Sequence, residues 1–342
     1  NLFANSVVVL RGSTGKMVWH FQTVHHDLWD YDVPAQPVLI QLRALPAVVQ
    51  ATKTGMLFVL NRETGTPVFP VEERAVPGSD IPGEKPSPTQ PFSTLPPLVP
   101  HTLTPADAWG VTPFDRRGCR DQIGGARHEG IFTPPSFQGT VQYPGLIGGT
   151  NWGSVAYDPA RSLVLVNTSK LPFLVGLVPR DQVAQARKQH GDAEWAPMKG
   201  TPYAMWRRPL LSKLKLPCVP PPWGTLAAVD LIAGKIKWQV PLGTLRDLAP
   251  VPLPIKTGVP SMGGPIATAG GLTFIAAALD NYIRAFDTDT GVEVWKARLP
   301  AGGQATPLTY QAGGKQYLVI CAGGHGRLPV TLGDHVIAFA LP

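Results

Sequence analysis

The chain has 342 residues, 36 of them Gly and 38 Pro, with 44% hydrophobic and only 15% charged residues. That hydrophobic share is enough for a sizeable core, and Gly plus Pro stays below the roughly 25–30% of low-complexity disorder, so a folded, loop-rich, β-dominated protein is expected. The net charge is +7, but no block of five like charges occurs, which argues against nucleic-acid binding and leaves an anionic membrane surface or an acidic substrate as partners.

Asn1 to Asn5 lead straight into a strand-like run, Ser6-Val7-Val8-Val9-Leu10, with no signal-peptide pattern. A start without Met, in mid-strand, reads as a segment of a longer polypeptide. No apolar run reaches the roughly 18 residues of a bilayer span. The first strand opens an eleven-residue pattern, Val9–Trp19: strand, polar turn, Gly at position seven, and a short strand closed by an aromatic at position eleven. The pattern recurs at Val59–Phe69, Ala228–Trp238 and Ala285–Trp295. Asp or Asn at its third position can form an Asx-turn, and the Gly supplies the positive φ of a tight hairpin. The closing Trp or Phe is suited to wedging between neighbouring sheets. Aromatic spacings of 50, 169 and 57 residues fit the four-stranded blades of a β-propeller, with extra material in the long gap.

Between the first two repeats lies His25-His26-Asp27-Leu28-Trp29-Asp30-Tyr31-Asp32, three carboxylates and two imidazoles among aromatics. In an extended chain Leu28, Asp30 and Asp32 share one face and Asp27, Trp29 and Tyr31 the other. A carboxylate held beside a metal and a substrate hydroxyl can serve as ligand and general base, while a polar turn with packed aromatics is the competing reading. Adjacent His25 and His26 diverge on a strand, which points to hydrogen bonding rather than metal ligation. Farther on, residues 71–148 are rich in Pro and turn residues, either decoration or a wall over the propeller face. Tyr157–Asn167, with its Asp-Pro-Ala-Arg turn, reads as a degenerate blade. Residues 170–222 hold the one helical candidate, Arg180 to His190. Cys119, Cys218 and Cys321 lack zinc spacing and allow one disulfide and one free thiol in an oxidising compartment.

The Trp-closed repeat followed by HHDLWDYDVPAQP resembles the quinoprotein dehydrogenases that use pyrroloquinoline quinone (PQQ), and more narrowly their membrane-bound glucose/quinate/shikimate branch. Thr52-Lys53-Thr54-Gly55, Ser87–Ser93, Glu129–Ser136, Leu299–Pro307, Ala322–Gly326 and Gly333–Pro342 extend the likeness from end to end. The resemblance implies an all-β, eight-bladed propeller with PQQ and a divalent cation, Ca²⁺ or Mg²⁺, near its axis. Residues 1–342 would be the C-terminal part of that single domain, with excursions at 71–148 and 170–222 and the N-terminal half supplied elsewhere. Asp30 is implied as catalytic base and cation ligand, Lys53 as the basic partner of the quinone oxygens, and Asn167 as a PQQ contact, with Asn151 its rival. His325, between glycines, is either a polar residue near the axis or part of a turn. The implied reaction oxidises a sugar, polyol or cyclic polyhydroxy acid and passes electrons to membrane ubiquinone on the periplasmic side of the bacterial inner membrane, where a Cys119–Cys218 disulfide could form. A non-catalytic scaffold similar to the outer-membrane assembly lipoproteins is the alternative; it would not require the Asp30–Lys53 pair.

Overall fold

Each eleven-residue repeat turns the chain by the same local device. In a computed structural model that describes residues 1–249 and 254–341, the position-seven glycines Gly15, Gly65, Gly234 and Gly291 all have φ between +64° and +75°. The Asn61 side-chain oxygen accepts from the Glu63 and Thr64 amides, and Asp230 and Asp287 accept from the corresponding amides of their own turns. These Asx-turns close antiparallel hairpins such as Gly224–Asp230 with Lys235–Pro241 and Tyr282–Asp287 with Glu293–Arg298.

The closing aromatic then docks on the glycine of the next repeat. The Trp19 ring lies 2.7 Å from where a Gly65 Cβ would stand, and its indole N–H donates to the Arg62 carbonyl at 3.0 Å. Trp238 repeats the contact on Gly291, at 2.7 Å, and donates to the Thr288 carbonyl at 3.0 Å. Phe69 packs on Gly234, its nearest ring atom 3.4 Å from a Cβ position. Gly291→Ala is therefore expected to lower unfolding free energy by about 2–4 kcal/mol, because the methyl meets both a positive φ and a closely docked, half-buried ring. Urea unfolding of the two proteins measures it.

The docked repeats order the sheets. After the Ser6–Leu10/Met17–Gln22 hairpin come Val38–Leu42, Leu45–Ala51 and Leu57–Asn61, and then Val155–Asp158, Leu163–Ser169, Gly224–Asp230 and Lys235–Pro241. Ile266–Ala267, Leu272–Ile275, Tyr282–Asp287 and Glu293–Arg298 form the next sheet, and Leu308–Ala312, Lys315–Ala322 and His335–Ala340 the last. Neighbouring sheets share apolar layers: Val49 and Val59 meet Val164, Val166, Ala227 and Val229 in one buried cluster.

Two expectations need correction. Tyr157–Asn167 is not a blade of its own. It supplies the first two strands of the sheet that the third repeat completes, pairing Leu163 with Asp230 and Ser169 with Gly224. The Phe69–Gly234 contact leaves no blade between the second and third repeats. The second correction concerns helix. Arg180–Gln182 is a 3-10 turn leading into a helix at Val183–Gln189, but a longer helix spans Pro113–Gly124. Its buried stripe is Asp115, Cys119 and Ile123, at the right spacing but with only one aliphatic residue, so the hydrophobic period is concealed. Thr112 caps it and Pro113 opens it.

Residues 170–222 leave and rejoin the third sheet at the paired residues Ser169 and Gly224. They contribute Phe173–Pro179, Glu194–Ala196 and Tyr203–Pro209 to a side sheet completed by Thr140–Gln142. A Cys119–Cys218 disulfide ties this side sheet's return path to the Pro113–Gly124 helix, and Cys321 is free.

In an antiparallel four-stranded sheet the turns joining strands one to two and three to four share one end. The turn joining two to three, and the link to the next sheet, share the other. Every long connection here falls in the second class, so chemistry-bearing loops gather at one end of the sheets and the repeat turns at the opposite end.

Candidate active site

Asp27 builds the first loop. Its carboxylate accepts from the Trp29 amide at 2.8 Å and from the Asn5 side-chain amide at 3.0 Å. Trp29 and Tyr31 then anchor the segment: both are buried, the Trp29 indole donates to the Thr133 carbonyl at 2.7 Å, and the Tyr31 hydroxyl donates to the Pro144 carbonyl at 2.6 Å. The alternation expected from the sequence therefore holds over residues 29–32, although Asp30 takes a left-handed φ of +64° instead of a strand conformation. With the aromatics turned inward, Asp30 and Asp32 face the other way.

Lys53 meets them from the turn after Leu45–Ala51. Its ammonium donates to the Asp30 carbonyl oxygen at 3.0 Å, to Asp30 Oδ1 at 3.3 Å and to Asp32 Oδ1. The lysine is 7% exposed, an uncommon state for a lysine and one that its two carboxylates compensate. The Gly148–Gly149 backbone packs against it: a Gly148 Cβ would stand 2.5 Å from the Lys53 stem, and the Gly149 amide donates to the Lys53 carbonyl at 2.6 Å. Only glycine permits that approach at the φ of +76° found at Gly148.

The second Asp30 oxygen has a partner the sequence did not disclose. Arg207, on the side-sheet strand Tyr203–Pro209, donates to Asp30 Oδ2 at 3.0 Å and also pairs with Glu194 at 2.9 Å. The strand pattern around the buried Trp206 implies that Arg207 points outward. Nothing local indicates that its outward face meets Asp30, 177 residues away. Burial raises the Asp30 pKa above the usual carboxylate value; the Lys53 charge opposes this, Asp32 reinforces it through a hydrogen bond and its own charge, and Arg207 opposes it more weakly.

Asn167, at 4% exposure near the end of Leu163–Ser169, donates its side-chain amide to Ser261 Oγ at 2.8 Å and to the Gly263 carbonyl at 2.9 Å. Its side-chain oxygen has no hydrogen-bond partner among the described residues. Asn151 differs, spending its amide on the Ile147 carbonyl and its oxygen on the Trp152 amide. His25 bonds Gln22 and Glu73, and His26 bonds Asn1 and Glu84. The His325 ring accepts from the Arg327 amide within its own turn and lies 5.6 Å from the Trp152 ring.

This arrangement sits in a chain whose residues 1–318 match the PQQ glucose/ethanol/alcohol dehydrogenase β-propeller domain. The chain belongs to that PQQ propeller family. It is 44% identical to quinoprotein glucose dehydrogenase of Escherichia coli strain K12, over 99% of this chain and 44% of the relative. It is 43% identical to quinate/shikimate dehydrogenase (quinone) of Acinetobacter baylyi, over 99% of this chain and 44% of that relative. The chain thus spans less than half the length of these curated relatives. Among solved structures, a europium-containing methanol dehydrogenase aligns with a TM-score of 0.59 at 21% identity, over 94% of this chain and 45% of that one, a likeness of fold.

The residues present suit the family's cofactor unequally. PQQ is an anionic, oxygen-rich ring, and the buried Lys53 ammonium and the Arg207 guanidinium suit its oxygens, whereas the unpartnered Asn167 oxygen is an acceptor and suits only a ring N–H or a cation. For a divalent cation the fit is partial. Asp30 and Asp32 offer carboxylates, but no cluster of three or more His, Cys, Asp or Glu able to hold a metal occurs among the described residues. Ca²⁺ takes six to eight oxygen ligands, so these two side chains are a fraction of a site.

Proposed function

We propose that this chain carries the base and the quinone-binding residues of a PQQ-dependent dehydrogenase that oxidises a sugar, polyol or cyclic polyhydroxy acid. The observation that carries this reading is the meeting of Asp30 with the buried Lys53 at the loop-bearing end of the propeller. Bound PQQ would supply the two-electron acceptor for hydride, and a divalent cation, Ca²⁺ or Mg²⁺, the Lewis acid. Asp30 accepts the substrate hydroxyl proton at a carboxylate oxygen. Lys53 keeps that carboxylate oriented and sets its positive charge where the quinone oxygens gain charge; an N–H would reach those oxygens by exchanging one of its three present partners. Asn167 would contact PQQ by accepting from a ring N–H with its free oxygen; Asn151, whose polar atoms are spent in its own loop, is the weaker candidate. Arg207 holds the second Asp30 oxygen from the side sheet. Arg207→Ala is expected to reduce kcat about tenfold, with Arg207→Lys recovering part of the loss, in a steady-state assay.

The remaining cation ligands and blades are proposed to come from additional N-terminal residues such as the longer relatives possess. Electrons are proposed to pass to membrane ubiquinone, with the propeller on the periplasmic side of the inner membrane. No helix among the described residues is long and apolar enough to cross a bilayer. Assaying the product of the whole reading frame with glucose, quinate and glycerol and an artificial dye acceptor tests the reading. Dye reduction that requires both PQQ and Ca²⁺ or Mg²⁺ is expected. Its absence with every substrate, in folded protein that takes up no PQQ, would favour the scaffold alternative.

A further inference from the structure

The Pro113–Gly124 helix and the Leu210–Cys218 loop form a basic and apolar platform that the proposed chemistry does not use. Phe114, in the first helical turn, is 87% exposed and Val111 just before it 58%. In a stable fold such side chains are ordinarily turned inward, and Asp115, Cys119 and Ile123 already fill the buried face of this helix. Arg116, Arg117 and Arg120 are exposed around them. The loop repeats the pattern, with Leu214 at 56% exposure between exposed Lys213 and Lys215.

The two segments are held together. Cys119 is bonded to Cys218, and the Gln122 side chain donates to the Leu211 carbonyl at 3.1 Å. Asp121 is the one exposed acid of the helix, and the loop has none. None of these five cations pairs with a carboxylate among the described residues. Exposed aromatic and aliphatic tips ringed by unpaired cations match the boundary of an anionic bilayer, where apolar groups enter the acyl edge and cations meet phosphates.

We propose that this platform docks on an anionic phospholipid surface, with Phe114, Val111 and Leu214 inserted and the five cations at the headgroups. An acidic polymer would satisfy the cations but, unlike an acyl boundary, gives the three exposed apolar tips nothing to enter. Both segments belong to connections at the same end of the sheets as Asp30 and Lys53, so docking would bring that end towards the membrane. The inference stands without the dehydrogenase reading, because it concerns lipid alone.

Sedimentation of the chain with vesicles of phosphatidylglycerol and phosphatidylethanolamine, against phosphatidylcholine vesicles, tests it. Binding is expected to the anionic vesicles only and to weaken as salt rises. The Arg117→Glu/Arg120→Glu variant is expected to lower the partition coefficient at least about tenfold, through lost attraction and added repulsion. Phe114→Ser/Leu214→Ser is expected to lower it to a similar degree, and unchanged circular dichroism would show both variants folded. Equal binding to the two vesicle types, or unchanged partition of either folded variant, would overturn the proposal. So would polyglutamate binding that matches the vesicles in strength and is untouched by Phe114→Ser/Leu214→Ser, since an acidic partner would then suffice.

Discussion

Asp30→Asn is expected to lower kcat by roughly 10²–10⁴, the range set by loss of a positioned general base, with PQQ binding retained. Asparagine keeps the shape and the hydrogen bond from Lys53 but cannot accept the hydroxyl proton. The same assignment fixes a pH dependence. Burial raises the Asp30 pKa above the usual carboxylate value, and only the ionised form is a base. The rate should therefore fall as pH drops through that raised value and be maintained above it. A pH series of kcat/KM on native enzyme reads the acid limb directly, and the Asn variant should lack it.

Lys53→Met has the second largest expected effect, a loss of about 10²–10³ in kcat, comparable to removing an oxyanion donor. Methionine fills the space of the buried stem beside Gly148 but carries no N–H. The substitution also leaves Asp30 and Asp32 facing each other without the cation that now bonds both. Lys53 is the largest influence favouring the Asp30 carboxylate, so its removal pushes the Asp30 pKa up further. The acid limb of the variant should then lie at higher pH than that of the native enzyme. A merely structural lysine would lower the amount of folded protein and leave the limb where it was.

The parts of this molecule legible in its sequence are those fixed by local physics. A positive-φ glycine four residues after an Asx residue sets the hairpin wherever it occurs, which is why Asn61, Asp230 and Asp287 disclosed their turns. The inward Trp29 and Tyr31 likewise implied an outward Asp30 and Asp32. What escaped depends on partners far along the chain. Tyr157–Asn167 has the look of a complete unit, yet its strand pairs with residues beyond 223 across the whole side-sheet insertion. The Pro113–Gly124 helix hides its buried stripe behind an aspartate and a disulfide cysteine. Arg207 lies on a strand whose outward face has no distinguishing pattern. Its contact with Asp30 exists because the insertion folds back over the loop-bearing end. Between Asn151 and Asn167 the sequence could not decide, since the difference lies in which side-chain oxygen is already bonded.

The most direct measurement mixes substrate anaerobically with PQQ-loaded enzyme and follows the quinone absorbance through a single turnover, for native protein and Asp30→Asn. Native enzyme should reduce its quinone in one fast phase, and the variant, carrying the same amount of PQQ, at least about a hundredfold more slowly. Reduction at the native rate in the variant would contradict the account and remove Asp30 from the chemistry.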